Sequence, residues 1–76
     1  MNKIRRNNLN AIMESLQELM SQLEELRDEE QEYIDNMPEN LWGSDRYEKA
    51  EEAYDNMDDA LSSMQDAIDS IGEAIG

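Results

Sequence analysis

Two stretches of heptad spacing, separated by a short break, constrain the fold of this 76-residue chain more than any other feature. In each stretch apolar residues recur at alternating steps of three and four, which is the spacing of one face of an α-helix. We label heptad positions a to g, with Leu9 at a in the first stretch and Tyr47 at a in the second. The first predicted seam, at a and d, contains Leu9, Ile12, Leu16, Leu19, Leu23, Leu26, Glu30, Tyr33 and Met37. The second contains Tyr47, Ala50, Tyr54, Met57, Leu61, Met64, Ile68, Ile71 and Ile75.

Pro38 interrupts the helical pattern between the two stretches, because proline lacks the amide proton that a helix interior needs. Ser44, followed by Asp45, offers a side-chain oxygen that caps the start of a second helix. We therefore expect a helix at about 3–36, a turn at 37–44 and a helix at about 45–75, all within one domain spanning 1–76. A connection this short places the two helices antiparallel. The predicted fold class is an all-α, coiled-coil-like hairpin of two antiparallel helices.

Apolar residues also recur beside each seam, which makes each apolar stripe too wide for one neighbouring helix to cover. In the first helix they stand at position e, and in the second an alanine stands at every g from Ala53 to Ala74. We expect two hairpins to cover these columns by dimerising into a four-helix bundle. The alternative is that a different protein covers them. The residues assigned to this oligomer or docking interface are Met13, Met20, Ala53, Ala60, Ala67 and Trp42.

Trp42 and Glu30 depart from the pattern around them. Trp42 lies in the turn, where it either plugs the end of the bundle or forms an exposed anchor for a partner, since tryptophan is common at binding hot spots. Glu30 occupies an a position, and we expect it beside the small residue Ala50 as a polar group that fixes the register. Its carboxylate would then lie within reach of Arg46, Lys49 or the Tyr54 hydroxyl.

The chain is strongly acidic, with 20 Asp and Glu residues against 6 Lys and Arg and a formal net charge of −14. Residues 1–13 contain no acid, so the negative charge belongs to the rest of the chain. This balance disfavours direct binding to nucleic acid or to anionic membranes and favours a basic protein surface as partner. The alternative is that the acidic surface only keeps the protein dispersed. The acidic face predicted to bind the partner consists of Glu48, Glu52, Asp55, Asp59, Asp66, Asp69 and Glu73.

The residue inventory argues against an enzyme. The chain has no histidine and no cysteine, which removes the commonest general base and the commonest ligands of zinc sites. Ser62 and Ser63 lie on a predicted helix without an activating base. The carboxylate clusters lack the spacing of a calcium-binding loop. We therefore expect no catalytic residue, no cofactor and no bound metal.

The segment from Arg27 to Leu41, with Ser44-Asp45-Arg46 after it, resembles small acidic helical proteins encoded by phages and prophages of Gram-positive bacteria. The distinctive part is an acid-Asn-apolar-Pro-Glu-x-Leu run before a Ser-acid-Arg cap. The resemblance implies a phage or prophage context in a bacterial host, and that context favours a protein that disarms host machinery by occupying a basic groove. It carries over no catalytic residue.

The leading functional hypothesis is a non-enzymatic acidic binding module that docks on a nucleic-acid-binding surface of a host protein as a nucleic-acid decoy. One alternative is a self-assembling scaffold module, and another is a docking subunit of a larger complex. No apolar run approaches the ~18 to 20 residues of a membrane span, and Met1 to Arg6 lack the apolar stretch of a signal peptide. We therefore expect the protein in the bacterial cytoplasm.

Overall fold

The computed structural model describes all 76 residues and consists of two long helices joined by a tight turn. Helix α1 spans Lys3–Asp35, a single turn of 3-10 helix spans Glu39–Leu41, and helix α2 spans Asp45–Ile75. The two helices pack against each other along their length, and the chain has no strand. The Cα atoms fill a rod of 60 × 15 × 13 Å. The predicted all-α hairpin is confirmed.

Both helices begin with the same kind of cap. The side chain of Asn2 accepts a hydrogen bond from the Arg5 amide at 2.7 Å, and Ser44 accepts one from the Tyr47 amide at 3.3 Å. These contacts satisfy amide groups that have no partner inside the helix. Gly43 precedes the second cap with a φ of 81°, a left-handed conformation that glycine adopts without a steric penalty. The sequence Gly-Ser thus turns the chain and restarts the helix.

A side-chain hydrogen bond closes the turn. The Trp42 indole donates from Nε1 to the carbonyl oxygen of Met37 at 3.0 Å, and its ring centroid lies 6.5 Å from that of Tyr47. The Met37 side chain is buried, whereas Trp42 is 56% exposed. The indole therefore lies on the outside of the turn and holds it closed, instead of filling the end of the helix pair.

Helix α2 uses the predicted seam. Every residue of its a and d columns, from Tyr47 to Ile75, is buried or half-buried against α1. Ala50, Leu61 and Ile68 are the most deeply buried of them. The a/d prediction is confirmed for this helix.

Helix α1 uses a different pair of columns, so the a/d prediction is wrong for this helix. Its inward residues stand at a and e, and the residues at d are about half exposed. The inward set is Leu9, Met13, Leu16, Met20, Leu23, Arg27, Glu30, Ile34 and Met37. The exposed d column is Ile12 at 50%, Leu19 at 52%, Leu26 at 55% and Tyr33 at 47%.

The turn explains the rotation of α1. Ile34 and Met37 are both buried beside the turn, and they stand at e and a. The neighbouring d residue is Tyr33, whose hydroxyl is well solvated when the ring stays at the surface. Burying Ile34 in place of Tyr33 turns the whole d column of α1 outward, because residues seven apart lie on nearly the same side of a helix.

Candidate functional surfaces

The two long sides of the rod carry different residues, and two grooves near the turn show which columns share a side. Tyr33 of α1 lines one groove together with Arg46 and Lys49 of α2. Gln31 and Asp35 of α1 line the other groove with residues that include Asp55 of α2. The d column of α1 therefore shares a side with the c and g columns of α2, and the acidic b column of α2 lies on the opposite side.

One long side is an apolar face, made of the exposed d column of α1 and the alanine column of α2. Apart from the half-buried Ala53 its alanines are exposed. The columns that border it, g of α1 and c of α2, contain mainly Ser, Asn and Gln. Glu29 is the only one of the 20 acids in these four columns. The apolar face consists of Ile12, Leu19, Leu26, Tyr33, Ala53, Ala60, Ala67 and Ala74.

The acidic face predicted from the sequence, from Glu48 to Glu73, is solvent-exposed at every one of its seven residues. Its members stand at b and f of α2, on the side and outer edge turned away from the apolar face. Among all 20 acids only Asp28 and Asp58 have a basic group within 4.0 Å. The acidic face is therefore an array of carboxylates without local counter-charges.

The residues predicted for the docking interface divide into two groups. Ala53, Ala60 and Ala67 belong to the apolar face, whereas the structure places Met13 and Met20 between the two helices of the chain itself. A Cβ atom at Gly72 of α2 would lie 3.9 Å from the Met13 sulfur. Trp42 lies apart from both groups, at the turn. The sequence-based interface did not include the exposed large residues of the d column, Ile12, Leu19, Leu26 and Tyr33, which are available to a second protein.

Arg27 forms the one polar link between the helices, and sequence reasoning missed it. Its Nη1 atom donates to Asp58 at 2.8 Å and its Nη2 atom to Asp28 at 3.2 Å, while the guanidinium lies 5.9 Å from the Tyr54 ring centroid. The hydrogen bond to Asp58 raises the pKa of Arg27 above its ordinary value, so this group stays charged. The signal in the sequence is a base at e of α1 and an acid at e of α2.

Glu30 lies where the sequence placed it, in the groove that contains Ala50, Arg46 and Lys49. It is half-buried, yet neither base approaches its carboxylate within 4.0 Å and it forms no side-chain hydrogen bond. Its expected polar contacts are therefore absent from this structure. The groove is open to solvent and lies at the turn end of the apolar face.

The structure has no metal-binding cluster of carboxylates, no unsatisfied buried polar side chain and no helix that could span a membrane. No three carboxylates converge on a point that a metal ion would occupy. No buried side-chain nitrogen or oxygen lacks a hydrogen-bond partner. Neither helix combines the length and apolar content that crossing a bilayer requires.

No family model, curated protein or solved structure matches this chain. The apolar face and the acidic face are therefore the features on which a functional assignment depends.

Proposed function

We propose that this protein is a non-enzymatic binding module that forms a homodimeric four-helix bundle and presents its acidic face to a basic surface of another protein. The observation that carries the proposal is the separation of residue types on the rod. Nearly all acids lie away from one long side, and that side carries exposed leucines, isoleucine and alanines. One side suits contact with apolar groups, and the rest suits contact with positive charge.

Dimerisation is supported by the exposed d column of α1. Leu19 and Leu26 are more than half exposed, and they stand in line with two further large apolar residues. A contiguous apolar strip of this kind marks an interaction site in most proteins. Because the strip carries almost no acid, two chains with a net charge of −14 each can meet there without placing carboxylates opposite one another.

Binding to a basic surface is supported by the uncompensated charge of α2. Its bases, Arg46 and Lys49, lie within the first turns, and none follows to the end of the helix. Surface helices usually alternate acids with bases, because such pairs stabilise the helix. A row of exposed carboxylates instead attracts cationic partners over distance and accelerates their association. Surfaces that bind nucleic acid are rich in Lys and Arg and are the natural partners of such a row.

The resemblance around Arg27–Leu41 narrows the choice of partner. It favours a bacterial host protein in the cytoplasm, blocked by a phage-type inhibitor that acts as a nucleic-acid decoy. The chain's own charge disfavours direct contact with nucleic acid and with anionic membranes, because it repels phosphate groups. A scaffold module with no acid-dependent partner is the second candidate, supported by the same apolar face.

The test is charge reversal on the acidic face. In the variant Asp55→Lys, Asp59→Lys and Asp66→Lys, we expect loss of capture of basic nucleic-acid-binding proteins from a bacterial lysate, with helicity by circular dichroism unchanged. The matched control is Glu18→Lys, Glu25→Lys and Glu32→Lys, which changes the net charge equally on the exposed outer edge of α1. The control is expected to retain capture. Duplex DNA added in excess is expected to release the captured protein from the unmodified chain.

Two results would contradict the proposal. If the triple variant of α2 captures as well as the unmodified chain, the acidic face does not bind the partner. If both triple variants fail equally, net charge alone accounts for the capture and the row on α2 has no special part. A complex that persists in 0.5 M NaCl would favour apolar docking instead, because salt screens exposed charges. The screening length is ~10 Å at 0.1 M and becomes shorter at higher salt concentration.

A further inference from the structure

We propose that the two hairpins of the dimer stack apolar face on apolar face with their turns at the same end, so that α1 of each chain lies over α2 of its partner. This arrangement deepens the proposed function and rests on its dimer. It follows from the depth at which large and small residues stand on the apolar face.

Two contacts show which residues of α1 and α2 lie at the same level along the rod axis. Arg27 bonds to Asp58, and Met13 lies against Gly72. Fourteen residues separate the two positions on each helix. Each step along α1 toward its amino end is therefore matched by an equal step along α2 toward its carboxyl end.

The same depth relation aligns the two columns of the apolar face. Counted from Arg27 and Asp58, Leu26 is level with residue 59 and Leu19 with residue 66. Each of the four large residues thus stands within one residue of the level of an alanine. The level pairs are Ile12 with Ala74, Leu19 with Ala67, Leu26 with Ala60 and Tyr33 with Ala53.

Two such faces can stack symmetrically in two ways, which differ in whether the large column of one chain contacts the alanine column or the large column of the other. With the turns together, a two-fold axis runs along the rod and places the large column of one chain on the small column of the other at the same level. With the turns at opposite ends, large residues meet large residues and alanines meet alanines. The first arrangement interdigitates large with small residues at uniform helix spacing, as close-packed interiors do. The second separates the α1 helices and leaves a gap between the α2 helices.

A second copy fits the face in size, and the face lacks the row of carboxylates that would repel another copy. One long side of a rod 60 Å by 15 Å buries on the order of 800 Å² per chain, which is the area of a standard specific interface. The four columns involved carry one acid, Glu29, and three bases, Arg5, Arg46 and Lys49. A cationic partner is drawn to the acidic face, so the apolar face is left for another copy of the chain.

The chain contains no cysteine, so single introduced cysteines report on the arrangement without interference. Gln22 and Ser63 are exposed on the columns that border the apolar face. Gln22 lies five residues before Arg27 and Ser63 lies five residues after Asp58, so the two positions are at the same level along the rod. With the turns together, Gln22 of one chain lies beside Ser63 of the partner subunit. With the turns at opposite ends, Gln22 lies midway along the large column and meets its own copy.

The experiment mixes the full-length variants Gln22→Cys and Ser63→Cys and treats them with a short bis-maleimide. In an equimolar mixture about half of the dimers contain one chain of each kind, so cross-linked dimer is expected to rise from background in either variant alone to about half of the protein. The matched control replaces Ser63→Cys by Ser62→Cys, one residue away on the opposite side. That mixture is expected to stay at background.

Efficient cross-linking of Gln22→Cys alone would overturn the arrangement, because it requires turns at opposite ends, while leaving the dimer intact. Absence of cross-linking, combined with a dimer in sedimentation equilibrium, would overturn the choice of face. A monomer in sedimentation equilibrium at high concentration would overturn the dimer and with it that part of the proposed function. Loss of the acidic-face interaction alone, measured by capture, leaves the cross-linking result unaffected.

Discussion

Helices α1 and α2 share the same heptad spacing and yet bury different columns. In α2 only the a and d columns carry large apolar residues, and those columns face α1. In α1 three columns are largely apolar, and the pair that faces α2 is a and e. The spacing of apolar residues thus predicts a helix and the width of its stripe. Where the stripe is wider than one contact, the spacing leaves open which edge the neighbouring helix covers.

Truncating one leucine on each helix tests whether the two helices bury different columns. Leu61 of α2 is 4% exposed and Leu26 of α1 is 55% exposed. Leu61→Ala is expected to lower the free energy of unfolding by about 3 kcal/mol, because it removes buried contacts and leaves a cavity. Leu26→Ala is expected to lower it by less than about 1 kcal/mol in dilute protein. Urea unfolding followed by circular dichroism measures both.

The same pair also separates the hairpin from its dimer. At high protein concentration the unmodified chain is expected to gain stability, because association stabilises the folded state by mass action. Leu26→Ala is expected to weaken this gain. Equal losses for Leu61→Ala and Leu26→Ala in dilute protein would contradict the assignment of the d column to the outside of the hairpin.

The caps at the two helix starts are expected to contribute less to stability than the buried leucine. Ser44→Ala is expected to cost about 1 kcal/mol, as loss of a helix cap usually does. Asn2→Ala removes the same kind of cap from α1 at a chain end, where frayed structure contributes less to global unfolding. A smaller loss, of a few tenths of a kcal/mol, is therefore expected. Thermal unfolding of the two single variants measures both losses of stability. An equal loss would show that the start of α1 unfolds together with the rest of the hairpin, as the start of α2 does.

The smallest expected effect is that of salt on the unbound chain. Raising NaCl from low concentration to 0.5 M screens the repulsion among carboxylates that have no base nearby, so stability should rise, by less than about 1 kcal/mol. The effect on capture of a basic partner should be opposite in sign. A stability that falls with salt would mean that the Arg27 ion pairs outweigh the repulsion of the acidic face. Urea midpoints at two salt concentrations measure the sign.

Much of this architecture could be predicted from the residues. Pro38, Gly43 and Ser44 each have a local conformational preference, so the turn and both helix ends follow from short-range rules. The exposed acidic face also follows, because charged residues off a seam stay in water. The rotation of α1 could not be predicted, since it depends on whether Tyr33 or Ile34 is buried at the turn.

The contacts of single side chains were harder to predict than the helices. The link from Arg27 to Asp58 joins residues 31 positions apart, and its existence depends on the rotation of α1. The position of Trp42 depends on one hydrogen bond to the Met37 carbonyl oxygen. The heptad spacing predicts neither contact, because the base at e of α1 and the acid at e of α2 become partners only once the rotation of α1 is known.

The exposed indole of Trp42 gives the molecule an intrinsic fluorescence reporter at one end, since the chain has a single tryptophan. A ligand that covers the turn should shift the emission maximum to shorter wavelength, as the ring leaves water. A ligand spread along α2 should leave the spectrum unchanged. In a dimer with its two turns side by side, both indoles lie at the same end. The tryptophan emission measured while a partner is added therefore shows whether that partner binds at the turn end of the dimer.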